Sequence, residues 1–272
     1  MLARFKDKNI LLLQGPLGPF FKRFSLDLRE AGARVHKINF CGGDRFYFKG
    51  PGVTDYTDTL FNWPLFLQDF IRSHQIDAIF LLGDCRPYHL SAIETARTLG
   101  AQPWVFEEGY LRPEFITLEK DGVNGNSRMS KDPDFYRAAG LSPRSDIRRV
   151  GRTFWRSARF AMFYYLATTI LSLRYRHYVH HRDRSVAKHI GCWLRGAFRK
   201  YYYRLAQARI LPELTGRWSQ KYFLFPLQVH NDYQFKHADY ATIEDCIAEV
   251  VASFAAHAPA DTLLVIKHHP AD

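Results

Sequence analysis

Short strand-like runs that alternate with helical patterns are the feature that most constrains the fold of this chain. The predicted strands lie at residues 9–13, 34–40, 78–82 and 103–106. Helical periodicity is found between and after them, at residues 22–31, 63–74 and 89–99. Short, continuously apolar strands are typical of parallel sheets that are covered on both faces. We therefore predict an α/β fold in which the first ~130 residues form a doubly wound parallel sheet.

Polar residues follow each predicted strand, where open α/β sheets bind their ligands. We expect them to line one crevice; they are Gln14, Asp44, Asp84, Glu107 and Glu108. Glu107 and Glu108 are expected on the loop after the fourth strand, and because neighbouring side chains diverge, at most one should enter the crevice. A partly desolvated carboxylate there could act as a base or nucleophile. The alternative is a solvated acid pair, with one acid bound to Arg112.

A glycine loop separates the first strand from the first helix. Gly15 and Gly18 are followed by prolines, in a spacing that matches neither a dinucleotide-binding fingerprint nor a P-loop. The glycines either shape the turn or let the backbone approach a phosphate or sugar.

Positive charge is concentrated in one segment, which we assign as residues 144–220, between a first domain at 1–143 and a second at 221–272. The chain carries a net charge of +11, and residues 144–204 hold 15 Lys or Arg but only two acids. The partner of this segment should therefore be anionic.

The basic segment is also rich in aromatic residues. Its uncharged run at residues 160–173 has 14 residues, whereas roughly 20 are needed to span a bilayer. Four arginines flank this run and are predicted to contact lipid headgroups: Arg156, Arg159, Arg174 and Arg176. The alternatives are a packed linker between domains or a surface for stacked nucleic-acid bases.

A second α/β unit is predicted after residue 220. Strands at 222–227 and 263–267 enclose a helix at 243–257, which Thr242 and Asp245 open as a capping box. The loops at 228–234 and 268–270 should share one sheet edge. Because two strands and one helix cannot cover a parallel sheet on both faces, we expect this unit to be truncated or completed by something else.

The four cysteines are widely spaced and no secretory segment is recognised, so we expect reduced thiols in a cytoplasmic protein. No group of carboxylates or histidines has the spacing of a metal site, and none is predicted.

Three motifs resemble those of the capsule polysaccharide biosynthesis proteins. Residues 107–112 (EEGYLR) are similar to their E-[DE]-G-[FY]-hydrophobic-R motif, residues 225–234 (FPLQVHNDYQ) to their second motif, and residues 267–270 (KHHP) to their His-Pro motif. The amino-terminal loop at residues 14–21 resembles the KpsS/LipB branch of this family.

The resemblance implies a retaining β-Kdo glycosyltransferase with two Rossmann-like domains in the GT-B arrangement. Such enzymes transfer Kdo from CMP-Kdo, and this branch starts the poly-Kdo linker of capsular polysaccharide on a phosphatidylglycerol lipid at the cytoplasmic face of the inner membrane. The implied partners are CMP-Kdo, the anionic lipid and its membrane surface, and other capsule assembly proteins, but not nucleic acid. No cofactor is implied beyond the donor substrate.

Residues are assigned by their match to the family motifs. Glu108 matches the catalytic carboxylate, as nucleophile or as base, while Glu107, Arg112, Gly15 and Gly18 support the acceptor and sugar side. The donor nucleotide would be bound by Lys267, His268, His269, Pro270, Gln228 and Asp232. A non-catalytic lipid- or polysaccharide-binding role in capsule export is the alternative function.

Overall fold

The computed structural model describes residues 2–109, 111, 113–140, 147, 149–151, 153–180, 186–228 and 237–269. The chain divides into two compact units, Met1–Asp183 and Arg184–Asp272, and each is described by itself.

The first unit is built on a six-stranded sheet in the order β3-β2-β1-β4-β5-β6. Its strands are β1 (Asn9–Leu12), β2 (Arg34–Asn39), β3 (Val53–Asp55), β4 (Ala78–Leu82), β5 (Gln102–Glu108) and β6 (Ile116–Lys120). The first five strands in the chain run parallel, and β6 is antiparallel to β5. This is a Rossmann-like order, and its topological switch point lies between β1 and β4.

Helices cover both faces of this sheet. The helices of the first unit are α1 (Phe20–Glu30), α2 (Gly42–Tyr47), α3 (Trp63–Ser73), α4 (Pro87–Thr98), α5 (Pro133–Ala138) and α6 (Phe154–Ile170). Proline stands within the first turn of α3, α4 and α5, where its missing N–H costs no helical hydrogen bond.

Two apolar cores lie on opposite sides of the sheet. Alternation along β1 places Leu11 in the core beneath α3 and α4, and Ile10 and Leu12 in the core beneath α1. All four residues of β1 are buried, which explains why its sequence is not a simple alternation of apolar and polar residues.

Helix α6 packs unusually close to α2. A Cβ atom added at Gly42 would lie 2.1 Å from the carbonyl oxygen of Ala167, and one at Gly43 would lie 2.5 Å from the ring of Tyr164. The pair of glycines therefore lets the backbone of α6 approach the amino-terminal end of α2.

The second unit contains a parallel pair of strands and three helices within its described residues. Its elements are β7 (Tyr222–Pro226), β8 (Leu263–Lys267), α7 (Val186–Ala206), α8 (Ile210–Thr215) and α9 (Ile243–His257). Thr242 and Asp245 form the predicted capping box at the start of α9. No residue at 191–192, 194–228 or 237–269 is fully buried, and Phe223 and Leu224 of β7 are more than half exposed.

The structure confirms the four predicted strands of the first unit and changes two details. Two strands, β3 and β6, were not predicted. Glu107 and Glu108 were expected on a loop but are the last residues of β5, because pairing with β6 extends that strand.

Substitution of Gly42 by alanine should destabilise the first unit. The added methyl group cannot fit against the Ala167 carbonyl, and overpacking of this kind costs about 2 to 3 kcal/mol. Urea unfolding followed by circular dichroism would measure the loss. As a control, Gly196→Ala in α7, where a Cβ meets nothing within 4 Å, should stabilise its helix by about 0.5 to 1 kcal/mol. Equal stability of Gly42→Ala and the wild type would contradict the close packing.

Acid should destabilise the first unit through His89, which is fully buried at the start of α4. Burial, assisted by the nearby charge of Arg86, lowers the pKa of His89 to about 3. The unfolded chain binds a proton near pH 6.5, so this contribution to stability is complete above that pH. It is lost as pH falls towards 3, by about 1.4 kcal/mol per pH unit.

Urea unfolding between pH 7 and pH 4.5 tests this dependence. The His89→Gln variant should lose less stability over this interval than the wild type does, whatever its stability at pH 7. Parallel losses in the two proteins would rule out His89 as the group responsible.

Candidate functional site

The carboxyl edge of the first sheet carries the residues that the sequence predicts in a crevice. The structure divides them into three places rather than one. Gln14 and Asp44 meet in a buried network, Asp84 turns towards the β5–β6 hairpin, and the two glutamates end β5.

Gln14 is the centre of the buried network. Its Nε2 lies 3.2 Å from Oδ2 of Asp44 and 2.9 Å from the hydroxyl groups of both Tyr164 and Tyr178. Its Oε1 accepts a hydrogen bond of 2.9 Å from Nη1 of Arg86. This corner of the crevice is therefore filled by tyrosines from α6 and from the segment that follows it.

Burial suppresses charge in this network. It raises the pKa of the Cys41 thiol to about 12, and it raises the pKa of Tyr164 with the help of the adjacent Asp44. Burial also lowers the pKa of Lys37, although the carboxylate of Asp44 opposes that shift. Cys41 is therefore a protonated packing residue at neutral pH and not a thiolate nucleophile.

Asp84 holds the base of the hairpin against the parallel sheet. Its Oδ2 accepts hydrogen bonds from the backbone N–H of Val123 at 2.9 Å and from Nδ2 of Asn126 at 3.0 Å. These hydrogen bonds give Asp84 a structural role, because Oδ2 is occupied by groups of the protein itself.

Glu107 and Glu108 differ in environment because successive side chains of a strand point to opposite faces. Glu107 is half-buried, and its Oε1 accepts a 2.9 Å hydrogen bond from the backbone N–H of Glu108. Glu108 is exposed and lies opposite Ile116 in the hairpin. The structure thus supports the expectation that the two carboxylates do not enter the same space.

Arg86 and Glu107 both lie near Gly83, and Arg86 was not predicted from the sequence to belong to the site. A Cβ atom placed on Gly83 would lie 3.7 Å from Oε2 of Glu107 and 3.9 Å from Nε of Arg86. The two side chains therefore converge over the loop after β4, next to the switch point. The only available signal was position, since Arg86 follows a strand and precedes the proline that begins α4.

The glycine of the EEGYLR motif is required by the hairpin. A Cβ atom at Gly109 would lie 2.1 Å from the carbonyl oxygen of Phe115. No larger residue fits where the connection folds back on itself. Tyr110 and Arg112 of this motif lie outside the described residues.

The glycine loop after β1 is in contact with aromatic rings. A Cβ atom at Gly15 would lie 2.7 Å from the ring of Phe21, and one at Gly18, where φ is +107°, would lie 2.6 Å from the ring of Phe160. The adjoining cleft has about 20 Å³ of free space, enough for about one water molecule. These contacts support turn geometry, while ligand binding by the two glycines stays a prediction.

The predicted donor residues of the second unit lie at one edge of the β7–β8 pair. Lys267 ends β8 and its carbonyl accepts a 2.9 Å hydrogen bond from the N–H of Leu227, so Gln228 and His268 follow neighbouring strand ends. His268 is exposed and His269 half-buried. Pro270 and Asp232 lie outside the described residues.

The four arginines predicted at a membrane have different surroundings. Arg156 and Arg159 are exposed on α6, and Arg176 lies exposed beyond it, with its Nε 3.0 Å from Nε2 of His177. Arg174 instead donates to Asp55 at 3.0 Å. Burial alone would raise the pKa of Asp55, but its hydrogen bonds and the nearby guanidinium groups lower it below the usual range.

Neither a metal centre nor a membrane span is found where the structure can be described. Over these residues, no three His, Cys, Asp or Glu side chains are grouped so that they could hold a metal ion. Within the same ranges, no helix combines the length and the apolar character needed to cross a membrane.

Comparisons with known proteins identify the family. The family model described as "Capsule polysaccharide biosynthesis protein" matches residues 77–272. The chain is 40% identical over 270 residues to the capsule polysaccharide export protein KpsS of Escherichia coli, covering 97% of this chain and 68% of that protein. It is 38% identical over 276 residues to the capsule polysaccharide modification protein LipB of Neisseria meningitidis serogroup B, covering 97% of this chain and 65% of that protein.

Two solved structures each resemble about a third of the chain. A UDP-glucose 4-epimerase from Thermotoga maritima covers 34% of this chain and 35% of its own, at 14% identity and a TM-score of 0.28. The match to the Bordetella bronchiseptica enzyme WbmH covers 34% of this chain and 36% of that enzyme, at 19% identity and a TM-score of 0.27.

The family match extends from β4 through the hairpin that carries Glu107 and Glu108 to the His268-His269 edge of the second unit. The relatives match almost the whole chain, while the chain spans about two thirds of their length. This chain belongs to the capsule polysaccharide biosynthesis protein family.

Proposed function

We propose that this chain acts as a retaining glycosyltransferase that moves Kdo from CMP-Kdo to a phosphatidylglycerol-type lipid, starting the poly-Kdo linker of capsular polysaccharide. Family membership and the relatives' names support a role in making or modifying capsule. The observation that carries the proposal is the position of the EEGYLR motif, whose two carboxylates end β5 at the carboxyl edge of the parallel strands, one strand from the topological switch point. Open α/β sheets bind ligands at such edges.

Glu108 is the proposed catalytic carboxylate, on the basis of its place in the motif. As a nucleophile it would bond to the anomeric carbon of Kdo while the bond to the CMP phosphate breaks. The acceptor hydroxyl would then displace Glu108 and lose its proton to solvent, with retention of configuration after two substitutions. As a base, Glu108 would instead take the proton from the acceptor hydroxyl, which would attack on the face that CMP leaves so that configuration is again retained. Its exposure on the hairpin leaves it accessible to a substrate.

Arg86 and Glu107 support the sugar side of this proposal. Kdo carries a carboxylate, and a guanidinium group can bind a carboxylate through charge-assisted hydrogen bonds. Arg86 is partly exposed and lies near Gly83, as Glu107 does, so it joins the motif's Arg112 as a group that could hold the sugar acid. Glu107, half-buried and bonded to the backbone of Glu108, would orient the catalytic residue.

The edge of β7 and β8 is proposed to bind the CMP portion of the donor. His268, His269 and Lys267 can donate hydrogen bonds to the phosphate, and departure of CMP needs its negative charge stabilised more than it needs a strong acid. Gln228 follows the neighbouring strand and could contact the nucleoside. We place the protein at the cytoplasmic face of the inner membrane, where the lipid acceptor and other capsule assembly proteins would meet it.

A non-catalytic role in export is a second candidate. The Escherichia coli relative is called an export protein, and a Rossmann-like unit can serve as a binding scaffold. In that case the protein would bind lipid or polysaccharide without using Glu108 for chemistry.

Substitution of Glu108 by glutamine should reduce Kdo transfer by about 10²- to 10⁴-fold, because the amide can neither accept the proton nor form the glycosyl intermediate. Transfer of labelled Kdo from CMP-Kdo to phosphatidylglycerol measures the effect. The matched control is Glu94→Gln, an exposed acid on α4 of the same unit, which should transfer at the wild-type rate.

A Glu108→Gln protein that folds and transfers at the wild-type rate would remove Glu108 from catalysis. If capsule export in cells were also unimpaired by this change, the scaffold role would be favoured over the enzyme. The Glu107→Gln variant should keep a measurable part of the activity, since Glu107 is proposed to orient and not to react.

Replacement of His269 by alanine should weaken CMP-Kdo binding about tenfold or more, the expected effect of losing one hydrogen bond to a charged phosphate. The measurement is the KM for CMP-Kdo, together with direct CMP binding by calorimetry. His257→Ala, at the exposed end of α9 in the same unit, serves as the control and should bind normally. Unchanged CMP binding in the His269→Ala protein would exclude this histidine from the donor site.

A further inference from the structure

Helix α6 exposes an apolar stripe on the side opposite its buried face. Tyr164 and Ala167 face the protein, while Trp155, Met162 and Leu166 lie about half a helical turn away and are exposed. Leu173, one turn beyond the helix, continues this line and is 90% exposed, and Trp155 at the other end is 82% exposed. We call these residues, with Ile170, the α6 stripe.

The buried face of α6 is fixed by contacts that hold the stripe outward. The backbones of α6 and α2 touch at Gly42, the N–H of Gly43 donates to Oγ1 of Thr168 at 3.0 Å, and the hydroxyl of Tyr47 donates to the carbonyl of Phe160 at 2.9 Å. Rotation of the helix to hide the stripe would break all of these contacts. The stripe is thus a stable outer surface of the first unit.

Arginines lie at both ends of the α6 stripe, and the surrounding segment of sequence contains no acidic residue. Residues 147–182 contain eight arginines and no Asp or Glu. Arg156 and Arg159 are exposed near the first end of the stripe and Arg176 is exposed past the other. A row of apolar side chains with a cation at each end is complementary to a lipid layer, which has anionic headgroups outside and apolar acyl chains inside.

We propose that the α6 stripe inserts into the headgroup region of an anionic lipid surface, with α6 lying along that surface. This inference rests on the proposed function, in which the acceptor is itself an anionic lipid. Aliphatic side chains enter the acyl boundary while the guanidinium groups of Arg156, Arg159 and Arg176 bind lipid phosphates.

Other occupants fit the stripe less well. A second copy of this chain packed on the same face would bring the exposed Arg156, Arg159 and Arg176 against the same cations of its partner, which is unfavourable. Nucleic acid bases stack on aromatic rings, whereas the middle of the stripe is Met162, Leu166 and Ile170.

Vesicle co-sedimentation of the whole chain tests this proposal. The wild type should bind vesicles of phosphatidylcholine mixed with phosphatidylglycerol and should bind phosphatidylcholine alone much less. Replacing Met162, Leu166 and Leu173 together by serine should weaken binding to the mixed vesicles about tenfold or more. Because all three side chains are exposed, the circular dichroism spectrum should not change.

Two further variants distinguish insertion of the α6 stripe from electrostatic attraction and from non-specific adsorption of exposed apolar residues. Phe61→Ser with Leu65→Ser removes two exposed apolar side chains elsewhere in the first unit and should leave vesicle binding at the wild-type level. Arg156→Ser with Arg159→Ser should weaken binding about tenfold at low salt, with a smaller effect at high salt.

Three results would overturn the proposal. The first is undiminished vesicle binding by the triple serine variant, and the second is equal binding of the wild type to neutral and anionic vesicles. The third is a wild-type protein that forms a dimer and does not bind vesicles, with the dimer lost in the triple variant. Kdo transfer to phosphatidylglycerol dispersed in detergent separates this inference from the proposed function. The triple variant should retain that transfer. If neither the wild type nor any variant transfers Kdo, but the wild type binds vesicles more tightly than the triple serine and double arginine variants, the proposed membrane-binding surface is supported and the proposed enzymatic activity is wrong.

Discussion

The first unit depends on the close contact between α6 and the carboxyl edge of its sheet. Two adjacent glycines, Gly42 and Gly43, remove the side chains that would otherwise separate α6 from α2. This approach brings Tyr164 into hydrogen-bonding distance of Gln14 and Asp44, in a place where an unpaired polar group would be costly. The contact between α2 and α6 therefore determines the packing at this edge, the hydrogen bonds of its buried polar groups and the position of α6.

That junction also decides where a substrate can bind in this unit. In Rossmann-like sheets the switch point between β1 and β4 is commonly open to a ligand. Here Tyr164 and Tyr178 occupy the side nearest β1 and β2, and the free space that remains there is about the size of one water molecule. The side nearest β4 and β5 carries Arg86 and the two glutamates, and Glu108 there is exposed.

The sequence predicted the buried parallel strands well, because residues such as Ile10, Leu11 and Leu12 must be apolar on both faces of a covered sheet. It failed at β3, which has only three residues, and at β6, an edge strand whose partly exposed residues mix apolar and charged types. The motif residues were found because they are contiguous in the chain. The Gln14–Tyr164 bond joins residues 150 positions apart, and a single arginine such as Arg86 carries no local pattern, so neither could be read from sequence.

The antiparallel pairing of β5 with β6 has a consequence for any chemistry at the end of β5. Glu107 and Glu108 are opposite Thr117 and Ile116 in a ladder, and Asp84 ties the far end of the same hairpin to the loop after β4. The backbone that carries the two carboxylates is thus ordered by its hydrogen bonds before any ligand arrives. Little backbone conformational entropy remains to be lost when a ligand binds at this position, so more of the interaction energy with that ligand appears as affinity.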